Sequence, residues 1–213
     1  MNWALRPLLD LVVACSTTGG VVTSTSLVAT TTTVAPTTSV PATTTSTQAI
    51  DVAGEFAAAL AATSPNYRFE SVVTVGDQTI TTIAGVVDGE SVAATITAGT
   101  SDVSYVRTPE GEWVTGPDDE WSVLEGEAPA GAPLAGLADV SDLALESSDA
   151  GLLAVLATLG PAAGPVAGTR VTITLTDGQV TQIRYQAQSG SDLADVTTTI
   201  TEVGSAGTVE VPV

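Results

Sequence analysis

The apolar positions of this chain change period several times, and each change predicts an element. Ile50, Ala53, Phe56, Ala57 and Leu60 recur at intervals of three and four, which predicts one amphipathic helix, capped at Ser46 or Thr47 and stopped near Ser64-Pro65. Alternation follows at once. Tyr67, Phe69, Val73 and Val75 share one face of a strand, Gly76-Asp77 makes a turn, and a second strand covers 78–87. Asp88-Gly89 marks a hairpin into a third strand carrying Val92, Ala94, Ile96 and Ala98. Strands over 103–107 and 113–115 flank the turn Pro109-Glu110-Gly111, and 121–124 makes a sixth.

From about 128 to 168 the chain turns rich in Ala, Leu, Pro and Gly. Leu152, Leu153, Leu156 and Leu159 fall at helical spacing before Gly160-Pro161, which predicts a helix or helix pair. Alternation then resumes: Val171, Ile173 and Leu175 against Thr172, Thr174 and Thr176, an Asp177-Gly178 turn, and a strand with Val180, Ile183 and Tyr185. A last strand sets Val196, Thr198 and Ile200 against Thr197, Thr199 and Thr201. Rows of threonine indicate a solvated face, so the expected fold class is α+β, with an antiparallel sheet covered on one side only.

The N-terminal quarter reads differently. Residues 16–47 contain 19 Ser or Thr among 32 positions, no charge, and Pro36 and Pro41, so they have nothing with which to bury a core. As a flexible coil this stretch reaches roughly 30 Å, from about 5–6 Å times the square root of its length. Ahead of it, Leu8-Leu9-Asp10-Leu11-Val12-Val13-Ala14-Cys15 resembles the end of a bacterial lipoprotein signal peptide, with Arg6 as the positive charge before it and Asp10 inside it. That resemblance implies cleavage before Cys15, the chain's one cysteine, and its lipidation. The expected organisation is a signal peptide at 1–14, a lipidated Cys15 and linker at 15–47, and a folded domain at 48–213, held to the cell membrane on its extracytoplasmic face.

Charge narrows the partners. Without Arg6 and Asp10, the domain keeps 4 arginines and 23 acids and has no lysine or histidine. That field repels nucleic acid and anionic headgroups, so attachment to a membrane falls to the acyl chains. No Ser-His-Asp, Cys-His or Ser-Lys arrangement can be built, and no cofactor, metal site or enzymatic activity is expected. Asp118-Asp119-Glu120 is the densest acidic cluster and reads as a solvated loop. Gly85, Gly89 and Gly99 fall at turns or strand ends without the spacing of a phosphate loop. Arg68, Arg107, Arg170 and Arg184 are the cations available for a phosphate or carboxylate group, and Arg68 and Arg184 alternate toward solvent.

The order of elements is similar to a known family. The hairpin Tyr105-Val106-Arg107 to Trp113-Val114, then Trp121-Ser122-Val123-Leu124, and the closing Glu202-Val203-Gly204 to Val209-Glu210-Val211-Pro212 resemble actinobacterial lipoproteins of the LppX/LprG type, relatives of the lipoprotein carrier LolA. The resemblance implies a sheet curved into a half-barrel with helices on its concave face and an apolar hollow for acyl chains. The positions it implies as lining are Phe56, Leu60, Phe69, Val73, Ile96, Tyr105, Leu153, Leu156, Ile173, Ile183 and Tyr185. The implied function is binding or transfer of a lipid or acylated ligand. The alternative is a non-carrier surface lipoprotein that binds a protein partner in the envelope.

Overall fold

Tight turns set the course of the chain. In a computed structural model, described for residues 50–116, 118, 120–125, 131–189 and 192–212, the chain folds back on itself strand after strand. At the second hairpin Gly89 takes φ +60°, a backbone conformation that glycine adopts without steric cost. Asp88 stays in the ladder opposite Ser91, so the turn is Gly89-Glu90, one residue beyond the Asp-Gly pair. At Asp177-Gly178 both residues lie at positive φ, 51° and 75°, as a type I′ turn demands.

Eleven antiparallel strands result: β1 Asn66–Val75, β2 Gln78–Asp88, β3 Ser91–Ala98, β4 Ser101–Thr108, β5 Gly111–Thr115, β6 Trp121–Val123, β7 Ser141–Asp149, β8 Leu152–Thr158, β9 Arg170–Thr176, β10 Gln179–Ser189 and β11 Asp192–Thr201. Their order in the sheet is β6-β5-β4-β3-β2-β1-β11-β10-β9-β8-β7. Two meanders are thus sewn together by the pairing of β1 with β11, where Phe69 faces Ile200 and Val73 faces Val196. The sheet does not close, and β6 and β7 are its edges. The β7 edge has two register shifts and carries Asp142, Glu146 and Asp149, features that blunt an edge against pairing with another chain.

This architecture overturns the expected α+β class with helices on a concave face. Among the described residues there is one α-helix, α1 (Val52–Thr63), and the fold is predominantly β. The region read as helical forms the β7–β8 hairpin, flanked by two short 3-10 segments, Pro133–Leu137 and Pro161–Val166. The reason lies in length. Between Gly151 and Gly160 only eight residues are available, a strand's length rather than a helix's. Leu153, Val155, Ala157 and Leu159 then reach the core at period two, and the leucines at helical spacing are divided between the two faces.

The helix begins two residues later than its apolar period suggests. Asp51 is its cap, Oδ1 accepting from the Gly54 N–H at 3.1 Å, whereas Ser46 and Thr47 lie outside the described residues. The α1 face bearing Phe56 and Ala59 packs on the sheet. At its last turn the buried Thr63 hydroxyl donates to the Ala59 carbonyl at 2.7 Å and accepts from the Val180 N–H at 2.9 Å. That bond ties the helix to β10 where its register against β9 slips, between Val180 and Gln182.

The face toward α1, here the inner face, carries the core: Tyr67, Phe69, Val87, Val92, Val171, Ile173, Leu175, Ile183 and Ile200 join Leu134, Leu137 and the helix in one cluster. Burying each large side chain of this kind is worth about 1.5–3 kcal/mol. A buried polar pair on this face is Ser71 Oγ with Thr198 Oγ1 at 2.7 Å, cross-strand neighbours on β1 and β11. Gly85, expected at a strand end, sits mid-strand in β2. A Cβ there would lie 2.8 Å from the Phe69 ring and 2.5 Å from the Ala93 carbonyl. The absent side chain is therefore what lets the Phe69 ring lie across β2.

Candidate functional site

The positions implied as a pocket lining separate into four places. Phe56, Phe69, Ile173 and Ile183 are buried in the main inner-face cluster, with Leu60, Leu153 and Tyr185 half-buried against it. Val73 belongs to a smaller cluster with Ala194 and Val196, which Tyr185 also touches. Ile96 and Tyr105 are buried on β3 and β4. Leu156 stands on the opposite face and borders a groove there. The members of the two clusters fill space against one another.

Concavity is found on the outer face. Because the strands are in register, side chains on this face form rows running across the sheet, and the backbone between two rows makes a furrow. The first groove, about 700 Å³, lies between the row Thr201, Arg68, Val86, Ala93 and Val106 and the row Thr199, Glu70, Ala84, Thr95 and Ser104. Small residues keep it open at the centre, and Trp121, 37% exposed, stands at its β6 end. At the β1 side Arg68 Nε donates to Glu202 Oε2 at 3.1 Å, with both side chains about half exposed, a surface ion pair worth about 0–1 kcal/mol.

A second groove, about 530 Å³, crosses β9, β10 and β11 on the same face. Its walls are the row Arg170, Gln186 and Asp195 and the row Leu156, Thr172, Arg184 and Thr197, with Glu146 beside them. Gln186 Nε2 donates to Asp195 Oδ1 at 2.9 Å across β10 and β11. Neither arginine forms an ion pair among the described residues.

The three tyrosines belong to the interior. Burial pushes Tyr67 up to about 12, against the Leu134 N–H that its hydroxyl accepts and the nearby Arg107 charge. Tyr105 is pushed up to about 12, first by burial and then by the negative charge of Glu112, with Arg107 acting the other way. Its hydroxyl is buried without a hydrogen-bond partner among the described residues. Burial likewise raises Tyr185.

No family model matches this chain, and no curated protein does. Among solved structures it is similar to the hypothetical protein CT021 from Chlamydia trachomatis, at 10% identity and a TM-score of 0.35, over 72% of this chain and 94% of that one. A likeness at that level bears on no functional question.

Cys15 lies outside the described residues, as does Asp119 of the acidic cluster, whose described members Asp118 and Glu120 are exposed. No group of three Asp, Glu or Cys side chains among the described residues gathers in a metal-binding arrangement, and no described helix is long and apolar enough to cross a membrane. Sequence reasoning missed the grooves. The signal was present in the residues between the apolar ones, Arg170 with Thr172, Arg184 with Gln186, and Asp195 with Thr197. Only the register shows that they share two rows.

Proposed function

We propose that this protein is a lipid-anchored extracytoplasmic lipoprotein whose domain is a non-enzymatic binding module, working through the outer face of its sheet. The observation that carries this reading is the division of the two faces. Seven of the apolar positions that a carrier would line with space, Phe56, Leu60, Phe69, Leu153, Ile173, Ile183 and Tyr185, pack together under α1, whereas both grooves open on the face away from the helix, with hydroxyl, amide and charged groups set among small apolar ones along their walls. Ligand sites are concave and orient what they bind through a few placed polar groups. The anchor rests on the Cys15 signal and the uncharged linker that follows it.

Two measurements test the two halves. Radiolabelled palmitate is expected to mark the wild-type chain and not Cys15→Ala; equal labelling, or none, would remove the anchor. Native mass spectrometry of the protein from a native-like host is expected to give polypeptide mass alone, or mass plus the anchor's own acyl chains. A further stoichiometric lipid would replace this reading with acyl-chain carriage.

A further inference from the structure

We infer that the groove around Arg170 and Arg184 recognises a compact phosphoryl group, an inference that rests on the outer face being the binding face. Register places the two arginines together. Tyr185 faces Val171 and Arg184 faces Thr172, so Arg170 stands opposite Gln186 and is the diagonal neighbour of Arg184 on the same face. Such diagonal positions lie roughly 7–8 Å apart, and two arginine side chains span that distance to a common point.

Their charge is uncompensated across the strands. Arg68 is paired with Glu202, and Arg107 faces Glu112 on β5. Arg184 faces Thr172 and Thr197 instead, and Arg170 faces Thr158 on β8. In a chain with 24 acids and 5 basic residues, two neighbouring arginines with neutral partners directly opposite bring this groove, which Asp195 and Glu146 also line, to formal neutrality. Asp195, the acid lining the β11 side, has Oδ1 occupied by Gln186, and Glu146 lies at the β7–β8 side.

The donor set selects the ligand class. Each guanidinium presents a planar fork of N–H donors matched to two oxygens, and Thr172 and Thr197 are the cross-strand neighbours of Arg184 on either side, both lining the groove. A carboxylate satisfies one fork, whereas a tetrahedral phosphoryl group has oxygens for both. The surrounding acids and the net charge of −19 repel extended polyanions, so the fit is to a single phosphate, whether free, on a small molecule, or on a lipid headgroup.

The test is calorimetric titration of the full-length protein with inorganic phosphate, alongside co-sedimentation with phosphatidylglycerol vesicles and with vesicles of an uncharged glycolipid. Saturable phosphate binding is expected, weakened by about tenfold or more in Arg170→Gln and in Arg184→Gln. Arg184→Lys should recover part of the loss, since it keeps charge without the fork, and Arg68→Gln should bind as wild type. Circular dichroism checks that the variants, both at exposed positions, remain folded. Arginine-dependent sedimentation with phosphatidylglycerol alone would assign the source to a headgroup, and binding to free phosphate alone to a soluble ligand. No binding to either, or binding undiminished when both arginines are replaced, overturns the site. Bare protein that ignores phosphate sinks this inference alone, and a co-purifying lipid with phosphate binding intact sinks the carrier-free reading alone.

Discussion

Thr63→Val tests whether one hydroxyl latches the helix to the sheet. The change conserves shape and β-branching at a fully buried position in the last turn of α1, so helix propensity is nearly unchanged. What is lost is the acceptor for the Val180 N–H at 2.9 Å and the donor to the Ala59 carbonyl at 2.7 Å. The carbonyl is the lesser matter, as it belongs to the helix ladder. The Val180 N–H is left in apolar surroundings, and an unsatisfied buried donor costs about 1–3 kcal/mol. For a chain this size that lowers Tm by roughly 2–12 °C. Thr63→Ser keeps the hydroxyl and loses one methyl, about 0.8 kcal/mol. Urea unfolding followed by tryptophan fluorescence gives the free energies, and amide hydrogen exchange at Val180 reports the bond itself. The expected order is wild type, then Ser, then Val, with Val180 exchange accelerated only in Val. A valine variant as stable as wild type, or a serine variant weaker than valine, would refute the latch.

Alkali should unfold the protein through its tyrosines. All three are raised above the ordinary value of 10.0, Tyr67 and Tyr105 to about 12. Their neutral forms stabilise the fold fully below about pH 10, and that contribution is lost as pH rises through about 12. Absorbance at 295 nm should therefore show Tyr67 and Tyr105 still un-ionised at pH 10.5 in the native state, with their tyrosinate appearing together with loss of the circular dichroism signal; ionisation of more than one tyrosine by pH 10.5 in the folded protein would contradict their burial. Gly85→Ala must displace both the Phe69 ring and the Ala93 carbonyl, and should cost about 1–3 kcal/mol in denaturant unfolding; a neutral result would mean that β2 shifts freely. With a net charge of −19, self-repulsion should weaken as salt is added. Thermal melts in sodium chloride are expected to rise between 10 and 200 mM, and a flat profile would show that the acids are too far apart to interact.

The order of strands was legible because antiparallel meanders are written locally. Tyr67 and Phe69 alternate with Arg68 and Glu70, Val171 and Ile173 alternate with Thr172 and Thr174, and Gly89 and Asp177-Gly178 sit where the chain must reverse. Even the short β6 at Trp121 could be read. The β7–β8 hairpin could not, because Leu152, Leu153, Leu156 and Leu159 fit helical spacing while Leu153, Val155, Ala157 and Leu159 fit period two over the same stretch, and the choice fell to pairing with β9, where Leu153 faces Leu175 and Val155 faces Ile173. Gly85 was misplaced for a similar reason, since its role depends on the Phe69 ring reaching it from the neighbouring strand.

The chain by itself determined its polarity in the broad sense: an uncharged Ser/Thr tract after a single cysteine, then a strongly acidic domain of alternating strands without histidine or lysine. Those are local or compositional properties, present before any folding. Which residues stand together was decided only by the tertiary structure. Pairing of β1 with β11 joins the two meanders across more than a hundred residues, and the β9–β10–β11 register gathers Arg170, Arg184 and Gln186 into one groove. Register is a relation between distant segments, fixed by the burial of a shared face, and no single segment contains it.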